Sequence, residues 1–392
     1  MATKTDIVLG LGYGDEGKGL VTSYLCSQNN PEETVVVRFS GGHQVGHTVV
    51  KDGIRHIFSN FGSGTLHGVP TYWSRFCTFA PDAALEEYKD LVSKGVTPKL
   101  IISPLCPVTT PFDIAHNRRK EEHLQHGSCG VGFGSTIERH ERHFRLYAGD
   151  LFYERIAREK LRLIAEYYDP HLYFLEEQTR HQIETFLEKA TQFIRMDGIE
   201  LDQRDNYYCV GRQNLIFEGS QGILLDMDFG FFPHVTRSNT TSKNAMELIK
   251  ELASSTIIRY PADKHYVTRA YQTRHGNGFM STEGTDLKLI NNENETNKLH
   301  DWQGEFRIGI MDLDMINYAL RIDDEFGPFC DKHLFITCMD QTEGAIKATC
   351  NNGKEEFIVK GFDELESLLD PLFSTVATSS SDDGTKIVYV KK

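Results

Sequence analysis

Residues 6–20 read DIVLGLGYGDEGKGL, a short apolar run that enters a glycine-rich loop. The following residues, 20–28, read LVTSYLCSQ and favour a helix. Residues 34–42, TVVVRFSGG, form a second apolar run that again ends in glycines. This order predicts a strand, a loop, a helix and a second strand, which is the opening of an α/β protein with a parallel sheet.

The glycines of the first loop satisfy two phosphate-binding patterns. Gly12, Gly14 and Gly17 give the G-x-G-x-x-G of dinucleotide folds, and residues 12–18 give the G-x-x-x-x-G-K of a P-loop. Gly19 stands where a P-loop has the Ser or Thr that binds magnesium. The loop therefore indicates a phosphate ligand without deciding between the two classes.

Two adjacent carboxylates, Asp15 and Glu16, lie at the centre of this loop. Bare carboxylates repel phosphate, but a carboxylate and phosphate oxygens can share one Mg²⁺ ion. The loop thus predicts a nucleoside triphosphate bound with magnesium, or an acid–base group beside a phosphate. A dinucleotide fold is the alternative, in which Arg38 at the end of the second strand would suggest a 2′-phosphate.

The composition is that of an ordinary globular protein, with 392 residues, 39% hydrophobic and 25% charged. A formal net charge of -14 disfavours nucleic acid and anionic membranes as partners, so a phosphate ligand needs a local site. The eight cysteines form no C-x-x-C pair, and no apolar run approaches the length of a membrane span. We expect a cytoplasmic protein with reduced thiols.

Later segments continue the α/β pattern. Residues 151–196 predict two amphipathic helices, and residues 214–230 predict a further strand and loop. Two late strands are predicted at residues 334–340 and 386–392, and the polar residues 291–309 are expected to form a mobile loop.

No repeat or linker divides the chain, so residues 1–392 are expected to form a single large domain. Its architecture should be a mainly parallel β-sheet with flanking helices.

The second glycine-rich loop, SGGHQVGHT at residues 40–48, contains His43 and His47. A four-residue spacing would suit zinc on a helix, but the glycines and the preceding strand disfavour a helix here. The loop more naturally exposes backbone groups while a histidine donates a proton or stabilises a transferred phosphate. A structural role for His43 stays open.

Two more glycine-rich loops follow, GSCGVGFGS at residues 127–135 and a longer one at residues 218–242. Cys129 in the first could be a nucleophile, but no base is assigned to it and a small residue in a tight loop is the favoured interpretation. The second ends in a hydroxyl and amide cluster typical of phosphate contacts, formed by Thr236, Ser238, Asn239 and Thr240.

Taken in order, YGDEGKG, GGHQVGHT, GSCGVGFG and EGSQGILLDMDFGFFPHVT resemble the loops of the adenylosuccinate synthetase family. The resemblance covers about the first two thirds of the chain and is weaker in the remaining third. It implies a homodimeric α/β ligase that joins aspartate to C6 of IMP through a 6-phosphoryl intermediate, using GTP and Mg²⁺.

The resemblance also implies a role for each matching residue. It assigns catalysis to Asp15, Lys18, His47 and Gln221. It places the nucleoside triphosphate and magnesium at Gly14, Glu16, Gly17, Gly19, Gly46, Thr48, Asp340 and Ser379, with Asp15 and the Gly46 carbonyl as metal ligands. It places the purine nucleotide and the amine substrate at Gln44, Ser128, Cys129, Arg142, Thr236, Arg274 and Arg307.

Several residues depart from the family pattern. In the third loop, Cys129 and Val131 replace a threonine and an arginine. The arginine that would reach across the dimer falls near residues 138–145, where Arg142, or its neighbours His143 and Arg145, must substitute.

The region expected to hold the donor base also departs, at residues 337–344 and 377–385. Asp340 is kept, but Cys338 replaces a lysine, and the second stretch lacks the family's proline. These changes weaken the expected specificity for guanine, so both ATP and GTP are expected as phosphoryl donors.

The segment expected to bind the amine, about residues 290–312, keeps Arg307 as its basic residue, with Arg274 or Arg237 as possible helpers. Gly304 removes an arginine that would contact the ribose 2′-hydroxyl, so dGMP or dIMP is an alternative to IMP. A phage relative, 2-aminoadenylosuccinate synthetase, uses dGMP, but that group usually lacks the loop aspartate kept here as Asp15. An NADP-dependent oxidoreductase and a catalytically silent nucleotide-binding relative are the alternatives from other classes.

Overall fold

The structure is a computed structural model that describes residues 3–124, 127–169, 176–255, 262–290, 306–327, 330–370 and 372–391. Helices α1 to α9 are Lys18–Ser27, Pro81–Ser93, Pro111–Leu124, Phe133–Glu141, Glu154–Tyr168, Glu176–Ile194, Lys243–Ser255, Leu313–Asp324 and Phe362–Ser367. Strands β1 to β17 are Lys4–Gly10, Thr34–Arg38, His47–Lys51, Ile54–Phe58, Thr71–Trp73, Leu100–Ile102, Ile199–Leu201, Asn214–Glu218, Ala262–Arg269, Gln272–His275, Phe306–Gly309, Met311–Asp312, Asp331–Thr337, Ile346–Cys350, Glu355–Val359, Thr375–Ser379 and Ile387–Lys391.

The main sheet of the described chain has ten strands in the order β17-β16-β13-β9-β1-β8-β2-β5-β6-β7. All neighbouring strands are parallel except β16 and β17. The prediction of a mainly parallel α/β sheet is therefore confirmed.

The two strands of the opening unit, β1 and β2, do not pair with each other. β8 lies between them, and its last residue, Glu218, stands opposite both Val8 of β1 and Arg38 of β2. The third predicted strand-and-loop unit thus enters the sheet beside the first, so that the loops after β1, β8 and β2 are neighbours.

The other predicted elements are found where the sequence placed them. Helices α1, α5 and α6 are confirmed, as are strands at Asp331–Thr337 and Ile387–Lys391. The loop with two histidines is not helical, since His47 begins β3. The expected mobile loop falls largely outside the described residues, and its last part, Phe306–Gly309, is β11.

The central strands are buried on both faces because their side chains alternate between two apolar layers. Val8, Val36 and Ile216 pack with Val21 and Leu25 of α1 on one face. The residues next to them in these strands pack on the other face with α7 and α8. Two-sided burial of this kind is typical of parallel sheets.

Parallel strands end at one edge of a sheet, which is where α/β proteins bind ligands. The loops after β1, β2, β8, β9 and β13 therefore converge, although they are far apart in the sequence. No helix in the described parts of the chain is long and apolar enough to cross a membrane.

Candidate nucleotide-binding site

A cavity of about 1100 Å³ opens at the carboxyl edge of the sheet. Most of the residues predicted to form the site line it: Gly14, Asp15, Glu16, Gly17, Lys18, Gly19, Gln44, Gly46, His47, Thr48, Ser128, Cys129, Gln221, Thr236, Arg274 and Asp340. Arg142, Arg307 and Ser379 are not among the lining residues. The fold thus brings four separate glycine-rich loops to one space.

The two adjacent carboxylates of the first loop have different surroundings. Glu16 is buried and folds back beneath the loop, where it accepts a hydrogen bond from the backbone N–H of Gly12. Its Oε2 lies 3.4 Å from Nζ of the buried Lys18. A side chain on Gly10 would displace the Glu16 carboxyl from this position. Glu16 therefore stabilises the shape of the loop from inside.

Asp15 points towards the cavity instead. Its backbone has a left-handed φ of 57°, and its Oδ2 lies 2.9 Å from Nε2 of His275 at the end of β10. Burial would raise the pKa of Asp15, but the hydrogen bond from His275 and the charges of Arg269 and Lys18 hold it below its ordinary value. Asp15 is thus an ionised carboxylate at neutral pH, ready to accept a proton or a cation.

His47 is held from behind by a buried carboxylate. Its Nδ1 lies 2.8 Å from Oε1 of Glu218, the last residue of β8. Because an ionised carboxylate only accepts, Nδ1 carries the hydrogen of this bond. Burial lowers the pKa of His47 more than Glu218 raises it, so the ring is neutral at pH 7.

Glu218 has several partners that keep it ionised. It accepts hydrogen bonds from the backbone N–H and the hydroxyl of Ser63, and Arg38 Nη1 lies 3.9 Å from its Oε2. Burial raises the pKa of Glu218, but contact with His47, the charge of Arg38 and the Ser63 hydroxyl bring it down to about 2. The charge that orients His47 is therefore present at neutral pH.

Arg38 does not face the cavity. Its side chain is fully buried, with the guanidinium 5.1 Å from the ring centroid of Trp73 and its charge directed to Glu218. The 2′-phosphate role considered for Arg38 has no support in this position.

Several buried polar atoms around the cavity lack a hydrogen-bond partner among the residues that the structure describes. They include Nε2 of His47, both amide atoms of Gln44 and Oε1 of Gln221. Each belongs to a residue that lines the cavity. Buried polar groups are nearly always paired in native proteins, so these atoms indicate a polar ligand that supplies their partners.

The third loop, at residues 127–135, is held against one face of α3. Asn117 donates to the Ser128 hydroxyl at 2.9 Å, and its carbonyl oxygen accepts from the N–H of Gly132 at 3.0 Å. One turn further along the helix, Glu121 accepts from the N–H of Gly127 at 3.0 Å. These contacts fix the loop where Ser128 and Cys129 line the cavity.

Cys129 is a poor candidate nucleophile in these surroundings. Burial, reinforced by the negative charge of Asp15, raises the pKa of the Cys129 thiol to about 12. The thiolate is therefore almost absent at neutral pH, which agrees with the interpretation of Cys129 as a small loop residue.

The region expected to read the donor base reaches the cavity only in part. Asp340 and Cys338 line it after β13. Ser379 is buried and donates to the carbonyl of Ser381 at 2.8 Å, so its hydroxyl is engaged in a turn. Ser381 and Asp382 line the cavity in its place.

The predicted basic residues occupy three different environments. Arg274 lines the cavity, where its guanidinium lies 4.4 Å from the ring centroid of Tyr13. Arg307 pairs with Glu283 at 2.7 Å and donates to the carbonyls of Gly276 and Gly278. Arg142 is exposed at the end of α4, as are His143 and Arg145. Gly304 lies outside the described residues.

The donor atoms at the site suit magnesium. No cluster of three or more acidic, histidine or cysteine side chains in the described chain could hold a metal by itself. Mg²⁺ does not need one, since it commonly binds through one or two carboxylates together with phosphates and water. Asp15 and the Gly46 carbonyl are hard oxygen donors on residues that line the cavity, so they fit this ion.

The residues of the site that were not predicted from the sequence include Glu218, Arg269 and His275. Glu218 is a charged residue that ends the apolar strand LIFE, which was a usable signal. Arg269 ends β9 and His275 ends β10. Their positions depend on how the turn between these two strands packs against the first loop. No local pattern predicts that contact.

Taken together, these loops and their unpaired polar atoms form a polar ligand site at the carboxyl edge of an α/β sheet. Residues 7–348 match the profile of the adenylosuccinate synthetase family, and the chain belongs to that family. Its members are ligases of purine biosynthesis that form a C–N bond.

Among curated relatives, the adenylosuccinate synthetase of Alkalilimnicola ehrlichii is 36% identical over 296 residues, which are 72% of this chain and 66% of the relative. That of Teredinibacter turnerae is 32% identical over 339 residues, 83% of this chain and 76% of the relative. The matched part thus spans just under two thirds of the first of these relatives.

Two solved structures share the fold. The fully ligated adenylosuccinate synthetase of Plasmodium falciparum superposes with a TM-score of 0.72 at 17% identity, covering 98% of this chain and 99% of the other. Succinoaminodeoxyadenylate synthetase of cyanophage S-2L, bound to dGMP and dATP, gives a TM-score of 0.61 at 15% identity, covering 100% and 97%. Because the chain belongs to the adenylosuccinate synthetase family, the NADP-dependent oxidoreductase alternative is not retained.

Proposed function

We propose that this protein joins aspartate to C6 of a 6-oxopurine nucleoside monophosphate, with a nucleoside triphosphate as phosphoryl donor. The observation that carries the proposal is the set of buried unpaired atoms of Gln44, His47 and Gln221, which share one cavity with the ionised Asp15. A polar purine nucleotide would supply partners for all of them.

The chemistry requires activation of the purine oxygen, because oxide is a very poor leaving group. Asp15 takes the proton from N1, and the negative charge then moves to O6. O6 attacks the γ-phosphorus, forming the O6–P bond as the bond to the nucleoside diphosphate breaks. The amine of aspartate next adds to C6 and loses a proton, and the C6–O6 bond breaks to release phosphate.

Two cationic or hydrogen-bonding side chains support the phosphoryl transfer. Lys18, at the start of α1, lines the cavity and opposes the charge of the transferred group. In the ligand-free protein the neutral His47 carries its hydrogen on Nδ1, so Nε2 gains a proton as the anionic triphosphate binds and then donates to the same group.

Magnesium would be held by Asp15 and the Gly46 carbonyl, together with the phosphates. When bound, it would act as a Lewis acid that neutralises charge on the transferred phosphoryl group. Asp15 then has two tasks, which are to take the proton from N1 and to hold the cation.

The ordinary acceptor in this proposal is IMP, since Asp15 supplies the base that N1 requires. A second candidate is a 2′-deoxy acceptor, dGMP or dIMP. It is favoured by Gly304, which stands where the family has an arginine that contacts the ribose 2′-hydroxyl. The cyanophage relative with dGMP bound has the same fold. Both candidates use the same residues at C6.

The donor is proposed to be ATP or GTP. Asp340 lines the cavity and can accept hydrogen bonds from the amino group of either base. The amine substrate is proposed to be aspartate, with Arg274 as the cavity-lining cation for its carboxylates. Arg237 also lines the cavity and is the second candidate for this contact.

The assembly is proposed to be a cytoplasmic homodimer, as the family resemblance implies. The exposed residues Arg142, His143 and Arg145 would then be available to a second copy of the chain.

Ligand-dependent thermal unfolding tests the binding part of this proposal. A ligand that binds only the folded state raises the apparent melting temperature. IMP or dGMP, and ATP or GTP with Mg²⁺, should each raise it, whereas NADPH should not. A protein that binds these nucleotides but forms no adduct with aspartate would be a catalytically silent relative.

A further inference from the structure

The catalytic carboxylate in the first loop has a partner that belongs to a distant part of the chain. Nε2 of His275 lies 2.9 Å from Oδ2 of Asp15. The carboxylate is ionised and can only accept, so the imidazole donates this hydrogen bond. One oxygen of Asp15 is therefore engaged by the protein, and Oδ1 is left for a ligand.

The surroundings of His275 keep its ring in place. His275 ends β10 and stands opposite Phe306 in the antiparallel pair with β11, and the two rings are 5.0 Å apart. The same turn region holds the backbone of the loop, since Arg269 donates through Nε to the carbonyl oxygen of Asp15. The β9–β10 region thus contacts both the main chain and the side chain of Asp15.

Orientation matters here because Asp15 has no helical or strand backbone to hold it. Its φ of 57° lies in the left-handed region, between Gly14 with φ 99° and Glu16. A carboxylate at such a position can rotate about its side-chain bonds unless a neighbour fixes it. His275 is the neighbour whose contact with the carboxylate is direct.

We propose that His275 is a positioning residue that fixes the carboxylate of Asp15, so that Oδ1 faces purine N1 and the cation. This inference rests on the proposed function for its role in turnover, but the contact itself can be tested without any substrate. Groups that hydrogen-bond a metal-binding or proton-accepting carboxylate commonly affect activity by about 10- to 100-fold.

The kinetic test compares three variants of the full chain. His275→Leu should lower kcat by about 10- to 100-fold while the KM for the purine nucleotide changes little, because ground-state contacts are retained. His275→Gln, whose amide can donate in the same direction, should recover much of the loss. His181→Leu removes an exposed histidine on α6 and should leave kcat unchanged.

The contact is tested separately by a double-mutant cycle in urea unfolding of the ligand-free protein. The stability lost in His275→Leu should be smaller when Asp15 is already alanine, because the shared hydrogen bond is then absent. If the losses of unfolding free energy in His275→Leu and Asp15→Ala simply add in the double variant, the contact between the two side chains is refuted. An unchanged kcat in His275→Leu would refute the positioning role. If the parent protein forms no adduct, the proposed function fails while the unfolding cycle still decides the contact.

Discussion

At the scale of single residues, Asp15 and Glu16 are adjacent carboxylates with separate tasks. Asp15 faces the cavity, whereas Glu16 braces the loop through the N–H of Gly12. Asp15→Ala should therefore abolish formation of the C–N bond while the protein stays folded.

Glu16→Ala is the matched variant and should lower the free energy of unfolding by about 1–3 kcal/mol, since the part-buried N–H of Gly12 loses its acceptor and the buried Lys18 loses its partner. Urea unfolding and product formation, measured on both variants, check the pair. Near-normal turnover in Asp15→Ala would refute the assignment of the base.

Glu218 gives the protein a predictable dependence of stability on pH. The pKa of Glu218 is about 2 in the folded protein, below its ordinary value of 4.5, so the unfolded chain binds the proton more readily. The charge of Glu218 stabilises the folded protein fully at pH values above the pKa that Glu218 has in the unfolded chain. This stabilisation is lost as the pH falls through the pKa of Glu218 in the folded protein.

We therefore expect Glu218→Gln to lose less stability than the parent between about pH 5 and pH 3. Unfolding curves measured at several pH values in that window test this expectation. Parallel pH profiles for the two proteins would contradict the ionised, buried state of Glu218.

The sequence predicted the residues that face the ligand better than the residues that support them. Asp15, Lys18 and His47 lie in loops whose composition indicates phosphate chemistry, and they line the cavity. Glu218 and His275 support two of them from other strands. Such contacts depend on sheet order and on the path of a turn, which no local pattern specifies.

At the scale of elements, α3 acts as a support for the third loop. Glu121 accepts hydrogen bonds from the N–H groups of Gly127 and Ser128. Glu121→Gln replaces one of the two carboxyl oxygens by an amide nitrogen that cannot accept, so it should loosen the loop and raise the KM for the purine nucleotide by about tenfold, with kcat nearly unchanged. Glu122→Gln, at an exposed position next to it, is the control. Equal kinetics for the two variants would show that α3 does not position the loop.

The loop after β13 contains the residues from which we predict whether ATP or GTP is the phosphoryl donor. Cys338 has a left-handed φ of 58° and lines the cavity with Asp340. Cys338 lacks the long apolar stem that a lysine would lay against a guanine base. ATP should therefore support at least as much activity as GTP in paired initial-rate assays, and a strong preference for GTP would refute this prediction.

Apolar periodicity predicted α5 and α6, and apolar runs that enter glycines predicted β1, β2 and β8. The insertion of β8 between β1 and β2 was not predictable, since strand order follows from long-range packing. That insertion brings Glu218 beside Arg38 and within reach of His47.

At the scale of the whole molecule, the sheet gathers loops from residues 10 to 382 around one cavity. The acceptor specificity depends on contacts to the ribose. Gly304 stands where the family has an arginine that contacts the ribose 2′-hydroxyl. A site without such a group cannot discriminate against a nucleotide that lacks this hydroxyl. We expect dIMP or dGMP to be used within about tenfold of the ribose counterpart, a difference of roughly 1.4 kcal/mol.

The most direct measurement follows the transfer of ¹⁵N from labelled aspartate to a purine nucleotide by mass spectrometry. The reactions contain ATP or GTP, Mg²⁺ and one of IMP, dIMP, GMP or dGMP, with Asp15→Ala as the control. We predict a succinyl adduct that retains ¹⁵N, forms with release of phosphate and is absent from the control. Nucleotide binding or nucleoside triphosphate hydrolysis without any adduct from the four acceptors would contradict the proposed ligase activity.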